Sequence, residues 1–582
     1  MLFWAALGLL ISVRLILITG IPMQMLDYPH DDLYFAKAAE HLLRGQWLGP
    51  YDNMTLIKAP FYPFFLVGSF LTGLPLLLNE TILYLLSCLV LFLALSPLIK
   101  SRWWRLLLFA VMLYIPAFMA TSVTLRILRE FVYYSVTLFV VAFSIGLFLR
   151  LDKKISTLLL WAIGLGLSMG AFMLTREEGI WIYPILFVLF TVSIVIVWER
   201  NYTRKWLRCG LIVLPILLWY LPIIAVSAIN YSYYGFWGTT EQLAPDFNRV
   251  VDLLASIKTE NTPWNPLIQI SKEARMKAYA ASPLFKTMQG DLEESVITWN
   301  ISDNEATAVK PAWLLKQYGD GGDEISDSFF LWTLRDVIAH EGYYSKGKYP
   351  VNFYKQLGDE LDSACAEGRL NCDQTKSLPF VGPVDPRHIP IIARMFKENV
   401  RMILYQAVYH LPSLDYTTWP VWPAANEEYR YFEQITNDPI NYMGTILGRD
   451  SQNQVEGAKD FRWKIHPYKE YGLKKITSFF KQITAPAAST AFGIWICLIV
   501  TMIFTAKKRW QLQYMVISLI LVLLFVIRVL TVSIVGATTS ANVYIYTIST
   551  YIFLYLFIVM VGFWMVESAR QAISKQEVTD VF

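Results

Sequence analysis

Runs of about twenty apolar residues recur along this chain, and each is long enough to cross a hydrocarbon core of roughly 30 Å as a helix. The 582 residues are 55% hydrophobic and 15% aromatic, and only 16% are charged. The runs lie at about 2–20, 81–99, 104–123, 131–150, 156–174, 179–198, 208–229, 488–506, 511–536 and 543–567. The sequence therefore predicts a mainly α-helical, polytopic transmembrane bundle of about 10–11 spans.

The stretch 60–78 is also apolar, but its three prolines and two glycines interrupt a straight helix. Basic clusters follow the spans near 100–105, 150–154, 200–208, 507–509 and 570–575. The positive-inside rule assigns all of them to the cytoplasm, which requires that 60–78 does not cross the membrane. We therefore predict that 60–78 is a re-entrant or interfacial hairpin packed against protein.

Successive spans cross the membrane in alternating directions, and this topology divides the chain into three parts. Residues 1–229 form a transmembrane module with a first outer loop at 21–80, and 488–582 form C-terminal transmembrane helices with a tail. Both termini are predicted to be cytoplasmic, in a plasma (inner) membrane. The polar insert 230–487 is long enough for a soluble domain, which is predicted to be mostly helical and periplasmic or extracellular.

The five cysteines separate into three in or beside apolar runs and two in the polar insert. Cys365 and Cys372 are predicted to close a small disulfide loop if their region faces an oxidising compartment. A metal site is less favoured there, because no nearby histidine or second cysteine pair completes it. The sequence has no P-loop or Rossmann motif, and nucleic-acid binding has no support since no basic domain faces the cytoplasm.

Two adjacent carboxylates open the segment DDLYFAKAAEHLLRG, which begins at Asp31. Apolar residues at helical spacing and a terminal Gly45 predict a helix. In one interpretation Asp31 is the N-cap and Asp32 is a first-turn charge that favours the helix dipole. In the other interpretation the carboxylates carry chemistry, which their predicted position at the outer membrane face favours.

Polar turns between later spans are predicted on the same side as Asp31. Arg126 and Glu130 lie in one turn, and Arg176 and Glu177 lie in another. These residues either line a common cavity with the carboxylate pair or are interfacial charges that snorkel to water. Snorkelling explains the arginines better than it explains the acids.

Three further cations are candidates for binding an anion. Arg14 and Arg528 fall within otherwise apolar spans, where ionisable groups usually face the protein interior and mark function. A lipid phosphate at the outer leaflet would suit both residues, and the alternative is an intramembrane ion pair with a carboxylate. Lys58 is a lone cation at the mouth of the 60–78 hairpin.

In combination these residues resemble the GT-C superfamily of membrane glycosyltransferases, particularly protein O-mannosyltransferases and lipid A aminoarabinose transferases. Those enzymes have an acidic pair that opens a helix in the first outer loop, a glycine near its end, a K-x-P-x-Y segment, an acid after the third span and an L-T-R-x-E-G turn. The counterparts here are Asp31 with Asp32, Gly45, Lys58 with Pro60 and Tyr62, Glu130, and LTREEG at 174–179. The resemblance covers roughly the first 230 residues, and the central insert departs from the family's pattern.

The resemblance implies an inverting glycosyltransferase (EC 2.4 class) of cell-envelope glycans, which uses a polyprenyl-phosphate sugar donor and an acceptor hydroxyl. Asp31 aligns with the family's proposed general base, and Asp32 lies beside it. The candidates for binding the lipid phosphate are Arg176, Arg528, Lys58 and Arg14. Supporting roles, toward the substrate or a divalent cation, fall to Glu130, Glu177 and Arg126, and Asp32 is a further candidate for positioning groups or holding such an ion.

Some members of the family use a divalent cation and others do not, and no organic cofactor is expected. The implied partners are the sugar donor, a glycan, lipid or protein acceptor, and membrane lipids. One alternative is a transporter or flippase of lipid-linked glycans, although the chain lacks the repeated halves that secondary transporters often show. The other is a non-catalytic assembly protein, in which the outer domain is the working part and Asp31 merely caps a helix.

Overall fold

The computed structural model describes the chain except residues 22, 24–30, 122, 263, 300–311, 319–323, 326, 374–385, 406–430, 433, 438–460, 505–508, 540–542 and 580–582. Lys507 and Lys508 of the predicted basic clusters lie outside the described residues. Within the described parts the fold is helical, and its few β residues are isolated bridge positions such as Ile257 and Cys372, which pair with each other. The predicted mainly α-helical fold is confirmed.

The helices fall into three groups along the chain. The described helices before the insert are α1 (Leu2–Ile18), α2 (Asp32–Leu43), α3 (Phe61–Thr72), α4 (Leu76–Ala94), α5 (Arg102–Leu113), α6 (Glu130–Phe148), α7 (Ile155–Met173), α8 (Tyr183–Glu199) and α9 (Lys205–Tyr234). The insert contributes α10 (Pro245–Ser256), α11 (Lys272–Ala281), α12 (Pro283–Thr287), α13 (Gln289–Trp299), α14 (Ala312–Tyr318), α15 (Asp327–His340), α16 (Lys348–Ala366) and α17 (Ile389–Tyr405). The C-terminal part contains α18 (Phe461–Phe504), α19 (Arg509–Thr539), α20 (Val543–Thr547) and α21 (Thr550–Thr579).

Eight helical segments among the described residues are long and apolar enough to cross a membrane. They comprise α4, α6, α7, α8 with the 3-10 helix Glu177–Ile182 before it, α9, α18, α19, and the segment Ile545–Gln571. The 17-residue α1 is a shorter apolar helix. The chain is therefore a multi-pass membrane protein, as its apolar runs predict.

The predicted span at 104–123 is wrong as a continuous helix. α5 ends at Leu113 after 12 residues, or about 18 Å at the usual rise per residue. Pro116 has no N–H to donate and disfavours a helical conformation in the residue before it, so the helix cannot continue through it. The chain instead passes through the 3-10 turn Pro116–Phe118 and a mostly buried irregular segment before α6.

Basic residues gather at one end of the bundle. Arg150, which follows α6, donates to the carbonyl groups of Leu93 and Ala94 at the end of α4, at 2.7 and 2.8 Å. Arg208, at the start of α9, donates to the carbonyl of Leu151 at 2.7 Å. Because helix ends leave such carbonyls without intrahelical partners, these guanidinium groups join the ends of neighbouring helices. The basic clusters around Arg150 and Arg208 therefore lie at the same end.

The stretch 60–78 is not a separate hairpin: it contains α3 and the first residues of α4, which continues as a membrane-length helix to Ala94. α3 has 12 residues, about 18 Å, which is too short to cross a core of roughly 30 Å. Gly73 ends α3 at a φ of 70°, in the left-handed region that glycine adopts without steric cost. The side chain of Asn79 then returns to donate to Ser69 Oγ at 2.8 Å. The chain thus turns back at the end of the bundle opposite to the basic residues.

The insert has a hydrophobic core of its own. Fully buried side chains from α10, α11, α12, α15 and α16 meet there, among them Val250, Leu254, Ala278, Phe285, Leu334, Ile338 and Leu357. The sequence predicts helices at 327–344 and 389–411, and the structure has α15 and α17 at these places within its described residues. This core gives the insert a packed interior apart from the membrane helices.

The ends of the insert differ from the predicted limits. α9 continues to Tyr234, and α18 runs without a break from Phe461 to Phe504, so the predicted boundary at 487–488 lies inside a helix. The predicted disulfide between Cys365 and Cys372 is present and closes the C-terminal end of α16. Both predicted boundaries therefore lie inside helices, α9 at the start of the insert and α18 at its end.

Candidate functional site

Charged side chains from four segments meet at the end of the bundle opposite to the basic residues. The segments are the start of α2, the loop between α2 and α3, the segment before α6 and the turn before α8. The ion pairs join different segments rather than successive turns of one helix. The polar turns that the sequence predicts on one side of the membrane therefore belong to one assembly.

Asp31 is the N-cap residue of α2, but its side chain makes no capping hydrogen bond. Its carboxylate instead contacts the ammonium group of Lys58, from the loop before α3. The side chain of Asp31 is 45% exposed, whereas that of Lys58 is 11% exposed and lies over the ring of Phe35, 5.2 Å from its centroid. Asp31 therefore presents a carboxylate to solvent beside one fixed cation, and the capping interpretation does not describe its side chain.

Asp32 is fully buried and binds Arg126. The Nε and Nη2 groups of Arg126 donate to the two carboxylate oxygens at 3.1 and 2.8 Å. Such a bidentate pair fixes the geometry of both groups. It connects the first turn of α2 to the segment before α6, so Asp32 holds the helix start that carries Asp31.

Glu177 links the turn before α8 to two other segments. Its Oε1 accepts from Nη1 of Arg129 at 2.7 Å and from the backbone N–H of Ala59 at 2.7 Å. The same Arg129 group also donates to the carbonyl of Thr175 at 3.0 Å. Because Ala59 follows Lys58 directly, the buried carboxylate of Glu177 helps to place the Lys58 backbone.

Arg176 lies between two carboxylates and two tyrosine rings. Its Nη1 donates to Glu130 at 2.9 Å, and its Nε is 2.7 Å from the carboxylate of Glu178. The guanidinium carbon is 4.4 Å from the ring centroid of Tyr546 and 5.5 Å from that of Tyr133. A guanidinium over aromatic faces is stabilised by the ring quadrupole, so Arg176 is strongly held in this position.

Arg528, in α19, brings a cation from the C-terminal helices to the same assembly. It is 1% exposed and its Nε donates to Ser549 at 3.3 Å. Its Nη2 is 3.9 Å from the carboxylate of Glu178 and makes no hydrogen bond to any described residue. Arg528 therefore retains a buried donor beside the Arg176–Glu178 pair.

The surroundings of the site shift the pKa of Lys58 and the pKa of Arg129 in opposite directions. Burial, and then the guanidinium of Arg129, lower the pKa of Lys58 well below the usual 10.5. Burial also opposes the charge of Arg129, but the carboxylates of Glu177 and Glu178 together raise the pKa of Arg129. Lys58 is therefore the cation of this assembly whose charge responds to pH, because arginines stay protonated.

Arg14 does not join this assembly through its described contacts. It is fully buried in α1 and donates from Nη2 to the carbonyl of Phe118. Its Nε and Nη1 have no hydrogen-bond partner among the described residues. The predicted role of Arg14 in phosphate binding gains no support from this position.

Glu80 is a candidate that the sequence reasoning missed. It is fully buried near the start of α4, where the hydroxyl of Tyr62 donates to its Oε1 at 3.2 Å. Its Oε2 has no hydrogen-bond partner among the described residues. A lone acid at the start of an apolar span was the signal that could have identified it, because such residues usually face the protein interior.

The carboxylates predicted as ligands of a divalent cation have other partners. Asp32 binds Arg126, and Glu130 binds Arg176. The described residues contain no group of three or more His, Cys, Asp or Glu side chains placed to hold a metal ion. Asp32 and Glu130 therefore balance the charges of arginines rather than forming a ready set of metal ligands.

No protein-family model matches the chain. No curated protein sequence matches it either. Two solved structures are similar to it: ArnT from Cupriavidus metallidurans in the apo state, and ArnT from the same organism bound to undecaprenyl phosphate. For each, the identity is 14% and the TM-score is 0.29, over 95% of this chain and 76% of that chain. A similarity at this level carries no argument about the fold or function of this chain.

Proposed function

We propose that this chain is an inverting GT-C-type glycosyltransferase that moves a sugar from a polyprenyl-phosphate donor to an acceptor hydroxyl, with Asp31 as general base. The contrast between Asp31 and its neighbouring carboxylates supports this proposal. The side chain of Asp31 is 45% exposed. Those of Asp32, Glu130 and Glu177 are 0%, 9% and 3% exposed, and each is bound to an arginine. Of these four carboxylates, Asp31 is the one that an acceptor can reach.

The proposed reaction is a single displacement. The acceptor oxygen attacks the anomeric carbon while Asp31 takes its proton, and the bond between that carbon and the phosphate oxygen breaks. A carboxylate suits this role because proton transfer can occur late, when the attacking hydroxyl has become acidic. The configuration at the anomeric carbon inverts, and the polyprenyl phosphate leaves with the electron pair.

Arg176 and Arg528 are the proposed partners of the leaving phosphate. Both are buried beside Glu178, and Nη2 of Arg528 has no hydrogen-bond partner among the described residues. In a site that excludes water, charge-assisted hydrogen bonds stabilise the charge that develops on the phosphate. Lys58, next to Asp31, is placed to contact the sugar or the phosphate from the acceptor side.

A narrow apolar crevice of about 20 Å³ lies between α6, α8 and α19. It is lined mainly by aliphatic side chains, and Ile182 and Leu524 are among them. Along the chain these two residues lie about one helical turn from Glu178 and Arg528. The surface that leads to the buried arginines from this side is therefore apolar.

We also propose that the site faces the outer side of a plasma (inner) membrane. Arg150 and Arg208 lie at the opposite end of the bundle, where the positive-inside rule places the cytoplasm. The disulfide between Cys365 and Cys372 is typical of oxidising compartments. On this proposal both termini are cytoplasmic and the insert is periplasmic or extracellular.

Purified protein in lipid vesicles, supplied with labelled polyprenyl-phosphate sugars and with glycan, lipid or protein acceptors, tests the proposed function. We expect release of polyprenyl phosphate that depends on the acceptor, with the label transferred to the acceptor. Movement of the intact lipid-linked sugar across the bilayer without bond cleavage would contradict the proposal and support a transporter. Absence of both cleavage and movement would support a non-catalytic assembly protein.

The lowered pKa of Lys58 predicts how transfer depends on pH. As the pH rises through this pKa, Asp31 loses its cationic neighbour and the donor loses a contact, so kcat/KM should fall at a pH where a solvated lysine is still charged. Lys58→Arg keeps the charge and should move the alkaline limb of the profile upward by at least about one unit. The matched control is Lys355→Arg on the exposed surface of the insert. An alkaline limb that is the same in all three proteins would contradict this role of Lys58.

A further inference from the structure

The insert holds the loop between α2 and α3 at three successive points. The hydroxyl of Tyr51 donates to the carboxylate of Glu241. The carbonyl of Asn53 accepts from Nε of Arg335 at 3.1 Å. The carbonyl of Leu56 accepts from the backbone N–H of Glu241 at 2.9 Å. Because Glu241 and Arg335 belong to the insert, the outer domain and the loop form one hydrogen-bonded unit.

A buried ion pair lies at the centre of this contact. The side chains of Glu241 and Arg335 are 3% and 1% exposed, and they bind each other directly. The hydroxyl of Tyr344 also donates to the carboxylate at 2.9 Å, and the guanidinium lies 5.1 Å from the centroid of the Tyr344 ring. A buried polar network whose members have partners is rigid, because each group would lose its hydrogen bonds on moving.

Leu56 shows that the loop conformation depends on this contact. Its φ is 60°, in the left-handed region that residues other than glycine rarely adopt. Such a conformation persists where the surrounding structure fixes it. Leu56 is fully buried, and its carbonyl is the group that the N–H of Glu241 binds. The insert therefore stabilises a backbone conformation that the loop alone does not favour.

Lys58 lies two residues beyond Leu56, between two backbone anchors. On one side, Glu241 of the insert holds the Leu56 carbonyl. On the other side, Glu177 accepts from the N–H of Ala59 at 2.7 Å. With both neighbours fixed, the backbone of Lys58 has little freedom, and its ammonium group is directed to Asp31.

We propose that Glu241 and Arg335 are positioning residues, which set Lys58 against Asp31 and make the insert part of the catalytic apparatus. This inference rests on the proposed transferase function. Neither residue contacts Asp31 in the described structure, so both act through the loop and Lys58. The insert is then required for turnover, whatever else it binds.

Hydrogen exchange tests the structural half of this proposal without any activity assay. In Arg335→Met, we expect the amides of residues 51–59 to exchange faster than in the wild-type protein, while amides in the core of α6 and α7 do not change. The matched control is Arg249→Met, which removes a surface pair with Asp359 and Asp362 elsewhere on the insert. Unchanged exchange at 51–59 in Arg335→Met would overturn the proposal.

A double-mutant cycle between Arg335 and Lys58 tests the catalytic half. Arg335→Met should lower kcat/KM by about tenfold, mainly through kcat, and Arg335→Lys should recover part of the loss. In a Lys58→Met background the Arg335 substitution should have little further effect, because it acts through Lys58. A purely structural role predicts independent, additive effects, and that result would overturn the proposal.

Glu241→Gln provides the second variant in case Arg335→Met folds poorly. The amide keeps the shape of the side chain and an oxygen that accepts from Tyr51, so we expect the same loss of kcat in milder form. If the wild-type protein transfers no sugar, the proposed function fails and this role fails with it. If the wild-type protein is active and the cycle is additive, the positioning role alone fails.

Discussion

Asp31→Asn should lower kcat for sugar transfer by about 100- to 10,000-fold, the range that a positioned general base contributes. The carboxamide has nearly the same shape as the carboxylate but does not accept the acceptor's proton. Because Asp31 is 45% exposed and makes no capping hydrogen bond, the substitution should leave the fold of α2 intact. The measurement is the initial rate of transfer from a labelled donor at saturating concentrations of both substrates, with KM for the donor expected to change little.

Asp32→Asn is the matched control within the same helical turn. Its carboxylate is buried against Arg126, so the substitution should reduce stability and alter the chemical step only through the position of α2. Asp359→Asn, at an exposed position of the insert, should be silent in both respects. A kcat for Asp31→Asn within about threefold of the wild-type value would show that Asp31 is not the base.

Eight of the ten apolar runs correspond, in the predicted order, to membrane-length helices among the described residues, because length and hydropathy report directly on burial in lipid. The prediction failed at 104–123, where the chain is apolar but Pro116 ends the helical conformation. Irregular backbone is tolerated at such a depth when protein rather than lipid surrounds it. Hydropathy does not distinguish protein from lipid as the surroundings of an apolar segment, so the predicted helix extends beyond the observed end of α5 at Leu113.

The residue types of the candidate site could also be predicted, but their partners could not. Arg14 and Arg528 have the same signature, a lone cation in an apolar span, yet only Arg528 lies near a described carboxylate of the assembly. Which helix faces which decides that difference, and one sequence does not contain this information. The same holds for Glu241 and Arg335, which lie 94 residues apart within the insert and meet only through its tertiary fold.

Glu177→Ala should destabilise the protein by about 3–5 kcal/mol, the usual cost of removing one partner from a buried ion pair. The carboxylate is 3% exposed, and its loss leaves the 10% exposed Arg129 without its counter-charge. The N–H of Ala59 loses its acceptor at the same time. The measurement is the free energy of unfolding in mixed micelles titrated with a denaturing detergent. The control is Glu367→Ala, whose exposed pair with Arg369 should contribute less than about 1 kcal/mol.

Replacing both members of the buried pair separates the cost of an unpaired charge from the value of the pair. Glu177→Leu combined with Arg129→Met removes both charges of this pair, so it should regain part of the stability that Glu177→Ala loses. Recovery should be incomplete, because the N–H of Ala59 and the carbonyl of Thr175 then lack partners, each at about 1–3 kcal/mol. If Glu177→Ala costs no more than the Glu367→Ala control, the buried pair does not hold the turn before α8 to the Lys58 loop. In that case the position of Lys58 would depend on its remaining contacts with the insert and with α2.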